Sequence, residues 1–154
     1  MAIVEITRDN IESYRPALVR LVLAHMHVLG TETSKSRVEH TIDIVLEEDS
    51  RAHFIASVDE ECSDVTGFCF FNTAIGLESG GRYLWLNEIH IKSDCRNRGI
   101  GRSMLAYMIE WAKENGYIAI YGITHRKNIG AQEFFDANDF VQTEVIWLDR
   151  RIEQ

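Results

Sequence analysis

Residues 89–103, read as Ile-His-Ile-Lys-Ser-Asp-Cys-Arg-Asn-Arg-Gly-Ile-Gly-Arg-Ser, constrain this chain more than any other stretch. A strand-like apolar run enters a turn rich in arginine and glycine. The turn then opens a helix whose Met104, Leu105, Met108, Ile109 and Ala112 share one stripe. The first turn of a helix carries unpaired N–H groups and a partial positive charge. Glycine lets the backbone curl so that several of those groups address one anion, and Arg96, Arg98 and Arg102 add charge around them. A short Gly-x-Gly in an ordinary surface turn signals nothing. Three arginines around one, between a strand and an amphipathic helix, point to a pyrophosphate site. It is not a Walker loop, because Gly-Lys-Ser/Thr is missing. Nor is it a dinucleotide fingerprint, which has a third glycine and usually starts its domain.

The rest of the chain sets this loop late in an alternating order. Residues 2–7 read as a short strand. Asp9 or Asn10 caps a helix through about Val28, with Pro16 in its first turns and Gly30 after its end. Residues 36–48 space Val38, Ile42, Val45 and Leu46 as a helix does. Residues 51–59 and 65–74 form a hairpin, and 83–92 is a further strand. After helix 101–115, Gly116 gives way to a strand over 117–124 whose continuous apolarity implies burial on both faces. Residues 128–138 are a helix and 140–148 a last strand. The expected fold is α+β, a three-layer domain with a mixed, mainly antiparallel sheet in the order β-α-α-β-β-β-α-β-α-β.

Bulk properties exclude several classes. The 154 residues suit a single domain over 1–154, and 45% apolar residues are enough for a core. No apolar run reaches the roughly 20 residues of a membrane helix, and residues 1–5 do not begin a secretory signal. A cytoplasmic protein without membrane contact is therefore expected. Cys62, Cys69 and Cys95 form no Cys-x-x-Cys pair, so neither a disulfide framework nor a zinc site is expected; Cys69, inside an apolar run, reads as a small core residue. A net charge of −8 argues against nucleic acid and weakly favours a cationic acceptor.

Arg96-x-x-Gly99-x-Gly101 resembles the Arg/Gln-x-x-Gly-x-Gly/Ala loop of the GNAT N-acetyltransferases, and residues 128–140 are similar to that family's second block, which usually reads Asn-x-x-Ala, an aromatic pair ending in Tyr, then Gly-Phe. The element order is similar to the family's from Ala2 to about Leu148. The resemblance implies an acyl-CoA N-acyltransferase-like fold that uses acetyl-CoA and no metal. Its acceptor would be the amine of a small molecule or peptide, and a homodimer is common in the family. Acetyl-CoA would lie between strands 84–92 and 117–124. Along Ile89, His90 and Ile91, the amides of Ile89 and Ile91 would hold the pantetheine arm and the thioester carbonyl. Backbone from Arg96 through Asn97, Arg98, Gly99, Ile100, Gly101 and Arg102 to Ser103 would cradle the pyrophosphate. Asn128 would bond the pantetheine arm, with Ala131, Phe134 and Phe135 along it. Phe135 stands where the family often has a tyrosine that protonates the leaving thiolate, and Asn138-Asp139 stands where Leu-Gly is common.

Attack on a thioester requires a free amine, so a proton acceptor is needed. Glu88, on the strand assigned to the thioester, is the candidate general base; a structural ion pair is the plain alternative. Alternation puts Glu88 and His90 on one strand face, with Asn87, Ile89 and Ile91 on the other, unless a bulge reassigns them. In a fold of this kind His25 and His27 border the acceptor cleft. Tyr121 and Tyr107 are alternative thiolate donors, and Cys95 is an alternative nucleophile through an acetyl-enzyme. Non-catalytic binding of acetyl-CoA, as a sensor, is the competing function, and Phe135 is what sustains it.

Overall fold

The computed structural model describes residues 1–152. The chain runs β1 (Ala2–Ile6), α1 (Ile11–Val28), α2 (Lys35–Val45), β2 (Ala52–Asp59), β3 (Asp64–Gly76), β4 (Gly81–Ile91), a 3-10 turn (Ser93–Cys95), α3 (Ile100–Glu114), β5 (Ala119–Gly122) and α4 (Ile129–Asp136). The contacts divide it into a large unit, Met1–Ile123, and a small one that starts at Thr124.

In the large unit five strands lie in the order β1-β2-β3-β4-β5. The first three pairings are antiparallel, and β4–β5, joined through α3, is parallel. The mixed, mainly antiparallel sheet is thus as expected. Apolar side chains cover both of its faces. On one, Phe54, Ala56, Val58, Val65 and Phe68 pack with Leu18, Leu21 and Val22 of α1 and Val38 and Ile42 of α2. On the other, Phe71 meets Trp111 of α3, with ring centroids 5.3 Å apart. Met104, Leu105 and Met108 of α3 are buried, as the periodicity of that helix predicts. Glu5 fastens this second face: it bonds His53 Nδ1 at 2.9 Å and accepts from Trp111 Nε1 at 3.1 Å.

Two expectations change. The strand expected over 117–124 shortens to β5, and Tyr121 and Gly122 are exposed rather than buried on both faces. As an edge strand it keeps one ladder, to β4, and water reaches the rest. The strand expected over 140–148 does not form among the described residues, and Val141, Val145, Ile146 and Leu148 stay exposed. An apolar run becomes a strand only where a partner edge takes up its N–H and C=O groups.

In the small unit Asn128 caps α4, its Oδ1 accepting from Ala131 N–H at 3.2 Å. Phe135 lies against Phe134 and Phe140, with centroids 5.3 and 5.2 Å apart. The left-handed residue of the turn after α4 is Asp139, at φ 63°. Asn138 donates its Nδ2–H to Phe134 O at 2.7 Å. Asp is among the few side chains that tolerate this conformation.

Candidate active site

Strand β4 carries the site, and an irregularity decides what it presents. Phe71 pairs with Leu86, but its neighbour Phe70 pairs with Glu88, so Asn87 is an extra residue in β4. Before this bulge, Leu86 shares the face of Phe71, toward α3. After it, Glu88 shares the face of Phe70, whose ring lies 4.8 Å from Phe54 in the α1–α2 core. Leu84 and Leu86 thus fill the core beneath α3, while Glu88 and His90 turn toward α1. Asn87 joins them on that side, since its Oδ1 accepts from Asn72 Nδ2 at 2.6 Å. The sequence-based grouping of Glu88 with His90 is met; that of Asn87 with Ile89 and Ile91 is not.

The same strand has an open edge. Its parallel ladder with β5 runs from Tyr83–Ala119 to Leu86–Gly122 and goes no further. At that last rung a Cβ on Gly122 would stand 3.0 Å from Leu86 O, so any larger residue would press the two backbones apart. Beyond it β4 continues alone on this side. Lys92 N–H donates to Thr66 O at 2.9 Å, toward β3. Successive strand amides alternate in direction, so Ile91 and Ile89 aim their N–H groups at the open side. Lys92 also binds Asp64, Nζ to Oδ2 at 3.0 Å, which holds the end of β4 to β3.

The arginine–glycine loop follows. Arg96 Nε donates to Ile91 O at 3.1 Å, tying the loop to the strand and leaving the terminal nitrogens of its guanidinium exposed. Asn97 and Gly99 are left-handed, at φ 59° and 78°. Gly99 is the N-cap of α3 and supplies no side-chain cap. Ser103 N–H accepts helix geometry first, donating to Gly99 O at 3.0 Å, so the amides of Ile100, Gly101 and Arg102 form the unpaired first turn. Arg98 and Arg102 are exposed, while buried Ile100 and Met104 anchor the helix start to the core. Unpaired amides, two left-handed residues and exposed guanidiniums suit a pyrophosphate.

On the α1 side of β4, His25 Nε2 lies 2.5 Å from Glu88 Oε2. His25, in the last turn of α1, is buried, and its ring meets Phe68 edge-on at 5.6 Å. Its other nitrogen, Nδ1, is buried with no partner among the described residues. The His90 ring lies 4.6 Å from that of His25. Burial, followed by the nearby charges of His25 and Arg96, pushes the His90 imidazole down to about 4, so it is uncharged at neutral pH. His27, flagged with His25 in the sequence, is exposed and takes no part.

Asn128, Ala131, Phe134 and Phe135 belong to the small unit, where Asn128 already spends Oδ1 on its helix cap. Cys95 is disfavoured as a nucleophile, because partial burial and a bond to Asp94 raise its thiol. The Tyr121 ring packs edge-on against Tyr83 at 5.1 Å, and Tyr107 is exposed on α3. Cys69 is fully buried, as the sequence implies. No helix among the described residues is long and apolar enough to cross a membrane.

The model of the Acetyltransferase (GNAT) family matches residues 17–140. Streptothricin acetyltransferase A of Bacillus subtilis (strain 168) is 29% identical over 91 residues, which are 56% of this chain and 53% of that protein. The chain thus spans about half the length of the curated relative it matches. Among solved structures, a probable acetyltransferase superposes with TM-score 0.82 at 17% identity, covering 100% of this chain and 99% of that one. Aminoglycoside N-acetyltransferase AAC(6')-Iy in complex with CoA gives 0.76 at 17% identity, covering 97% and 93%. An aminoglycoside acetyltransferase from an uncultured soil metagenomic sample, in complex with trehalose, gives 0.80 at 12%, covering 99% and 96%. At these identities the structural likeness concerns the fold.

Proposed function

The chain belongs to the acetyltransferase (GNAT) family, and on that premise we propose that it moves the acetyl group of acetyl-CoA to a primary amine of a small molecule by direct attack. One observation carries this reading: the bulge at Asn87 sets Glu88 on the α1 side of β4, one residue from Ile89, whose N–H faces the edge that β5 leaves open. A proton acceptor and an oxyanion donor thus occupy successive positions of one strand.

The chemistry follows from the energy of each step. An alkyl ammonium of pKa ~10.4 is free amine in roughly one molecule in 2,500 at pH 7, a cost of about 4.6 kcal/mol. Glu88 Oε1, the oxygen not held by His25, takes that proton directly or through a water. Bound acetyl-CoA supplies a thioester carbon that the amine lone pair attacks, with the C–S bond breaking as the amide forms. The amide of Ile89 donates to the oxyanion, one such donor being worth about 3 kcal/mol, and that of Ile91, about 7 Å further along the strand, is left for the pantetheine arm. The second amine proton goes to the thiolate. Phe135 has no proton to give, but a thiol of pKa ~8.5 leaves tolerably without one. The loop from Arg96 to Ser103 holds the pyrophosphate on the first turn of α3.

The relatives' names put small-molecule acceptors, streptothricin and aminoglycosides, first in any panel, and a net charge of −8 suits cationic ones. The test is thiol release from acetyl-CoA across an amine panel, beside a calorimetric acetyl-CoA titration. Turnover with at least one amine is expected. Saturable binding without turnover on any amine identifies a sensor instead.

A further inference from the structure

We propose that His25 is a positioning residue for Glu88: it fixes one carboxylate oxygen so that the other alone faces the acceptor. The inference rests on the reading of Glu88 as the proton acceptor, and it assigns a role to a residue 63 positions away in sequence.

The geometry is specific. His25 Nε2 meets Glu88 Oε2 at 2.5 Å, from a ring that Phe68 and the last turn of α1 hold in place. A carboxylate oxygen only accepts, so Nε2 carries an N–H and donates it. Nδ1 is buried and partnerless among the described residues. With Nε2 already protonated and no partner at Nδ1 to exchange a proton with, His25 is not a relay. What the contact does is remove rotational freedom. The terminal torsion of a glutamate is broad and roughly two-fold; with Oε2 pinned, Oε1 is the oxygen left for the ammonium proton. His90, uncharged near neutral pH, lies beside the pair without adding a cation of its own. The charged or titratable groups around His25 are thus Glu88 and His90 of β4, with Arg96 acting on His90; Phe68 of β3 adds none.

The test is a double-mutant cycle read by thiol release, with His25→Leu and His25→Gln, each in the wild-type and Glu88→Gln backgrounds. His25→Leu is expected to lower kcat roughly 10- to 100-fold, the loss typical of a misplaced reacting group, with KM for acetyl-CoA unchanged. Gln places an N–H near the former Nε2, so His25→Gln recovers most of that loss. In the Glu88→Gln background His25→Leu costs nothing further, because no base remains to be positioned. Ring 15N NMR of the wild type gives a readout independent of turnover and of the folding of variants: His25 as the Nε2–H tautomer, shifted by Glu88→Gln. Equal losses in both backgrounds, no recovery by Gln, or an Nδ1–H tautomer overturns the proposal. A wild-type protein that releases no thiol with any amine, yet shows the Nε2–H tautomer, overturns the proposed reaction and with it any catalytic use of this contact.

Discussion

Replacing Gly122 by alanine tests the narrowest point of the candidate cofactor cleft. The new Cβ would stand 3.0 Å from Leu86 O, 3.6 Å from Leu86 Cβ and 3.9 Å from Leu86 C. Comfortable C···O contacts begin near 3.3 Å, so the last rung of the β4–β5 ladder opens by a few tenths of an ångström. The obstructing atom is backbone and cannot swing aside. Two effects oppose. Glycine-to-alanine stabilises by about 0.4–1 kcal/mol through the unfolded chain, whereas overpacking costs about 1–3 kcal/mol. The clash wins, and net destabilisation of about 1–2 kcal/mol lowers Tm by roughly 3–8 °C in a chain of this size. The open edge begins one residue past Leu86, so acetyl-CoA affinity falls as well, by about tenfold for each 1.4 kcal/mol lost from the aligned amides. Differential scanning fluorimetry and isothermal titration read the two effects. Gly130→Ala is the control: nothing lies within 4 Å of its Cβ and its φ is not left-handed, so it should gain stability. A Gly122→Ala protein that melts as high as this control, with unchanged affinity, refutes the steric reasoning.

Gly99→Glu should abolish measurable acetyl-CoA binding by titration while circular dichroism stays native, because nothing lies within 4 Å of the new Cβ and the cost is the strain at φ 78° plus a carboxylate in the anion site; retained affinity removes the loop from the cofactor site. Glu88→Gln should lower kcat/KM by about 10²–10³ at pH 7, and the deficit should shrink as pH approaches the acceptor's pKa; a constant deficit across a pH–rate profile argues against a base. Acid denaturation should have two components. His90 is held down near 4 from 6.5, so the unfolded state binds its proton first, and its contribution, complete above 6.5, is lost as pH falls from 6.5 to 4. Glu5 is held below 4.5, chiefly by its bond to His53, so its contribution, complete above 4.5, is lost as pH falls through the lower folded value. Urea titrations of His90→Gln and Glu5→Gln should each flatten their own window, with Glu5→Gln costing about 1–2 kcal/mol at pH 7.

The sequence reveals local matters well. The stripe of Met104, Leu105 and Met108 and the glycine at the helix start are short-range signals, and α3 and its left-handed cap follow from them. Features that depend on pairing are hidden. The bulge at Asn87 exists only because β3 offers one residue fewer between its pairs, and nothing in Leu-Asn-Glu announces it. The His25–Glu88 contact joins α1 to β4; the single available hint, a histidine in an apolar helix end, fits His27 equally well. Residues 140–148 are rich in β-branched and aromatic side chains, yet that composition says nothing about whether an edge awaits them. Asp139 shows the limit at one residue: either Asn138 or Asp139 suits a left-handed turn, and only hydrogen bonding decides, since Asn138 is spent on Phe134 O.

The bulge also bears on how related chains are compared. Pair Asn87 regularly with Phe70 instead of bulging it and the pleat inverts from there on: the same letters, Glu-Ile-His-Ile, then send the carboxylate and imidazole beneath α3, among Met104 and Met108, and bring Ile89 and Ile91 up against His25. An alignment that slides a gap by one position here therefore exchanges reactive groups for core residues while scarcely altering its score. In this strand chemical identity resides in the pairing register as much as in the kinds of residue.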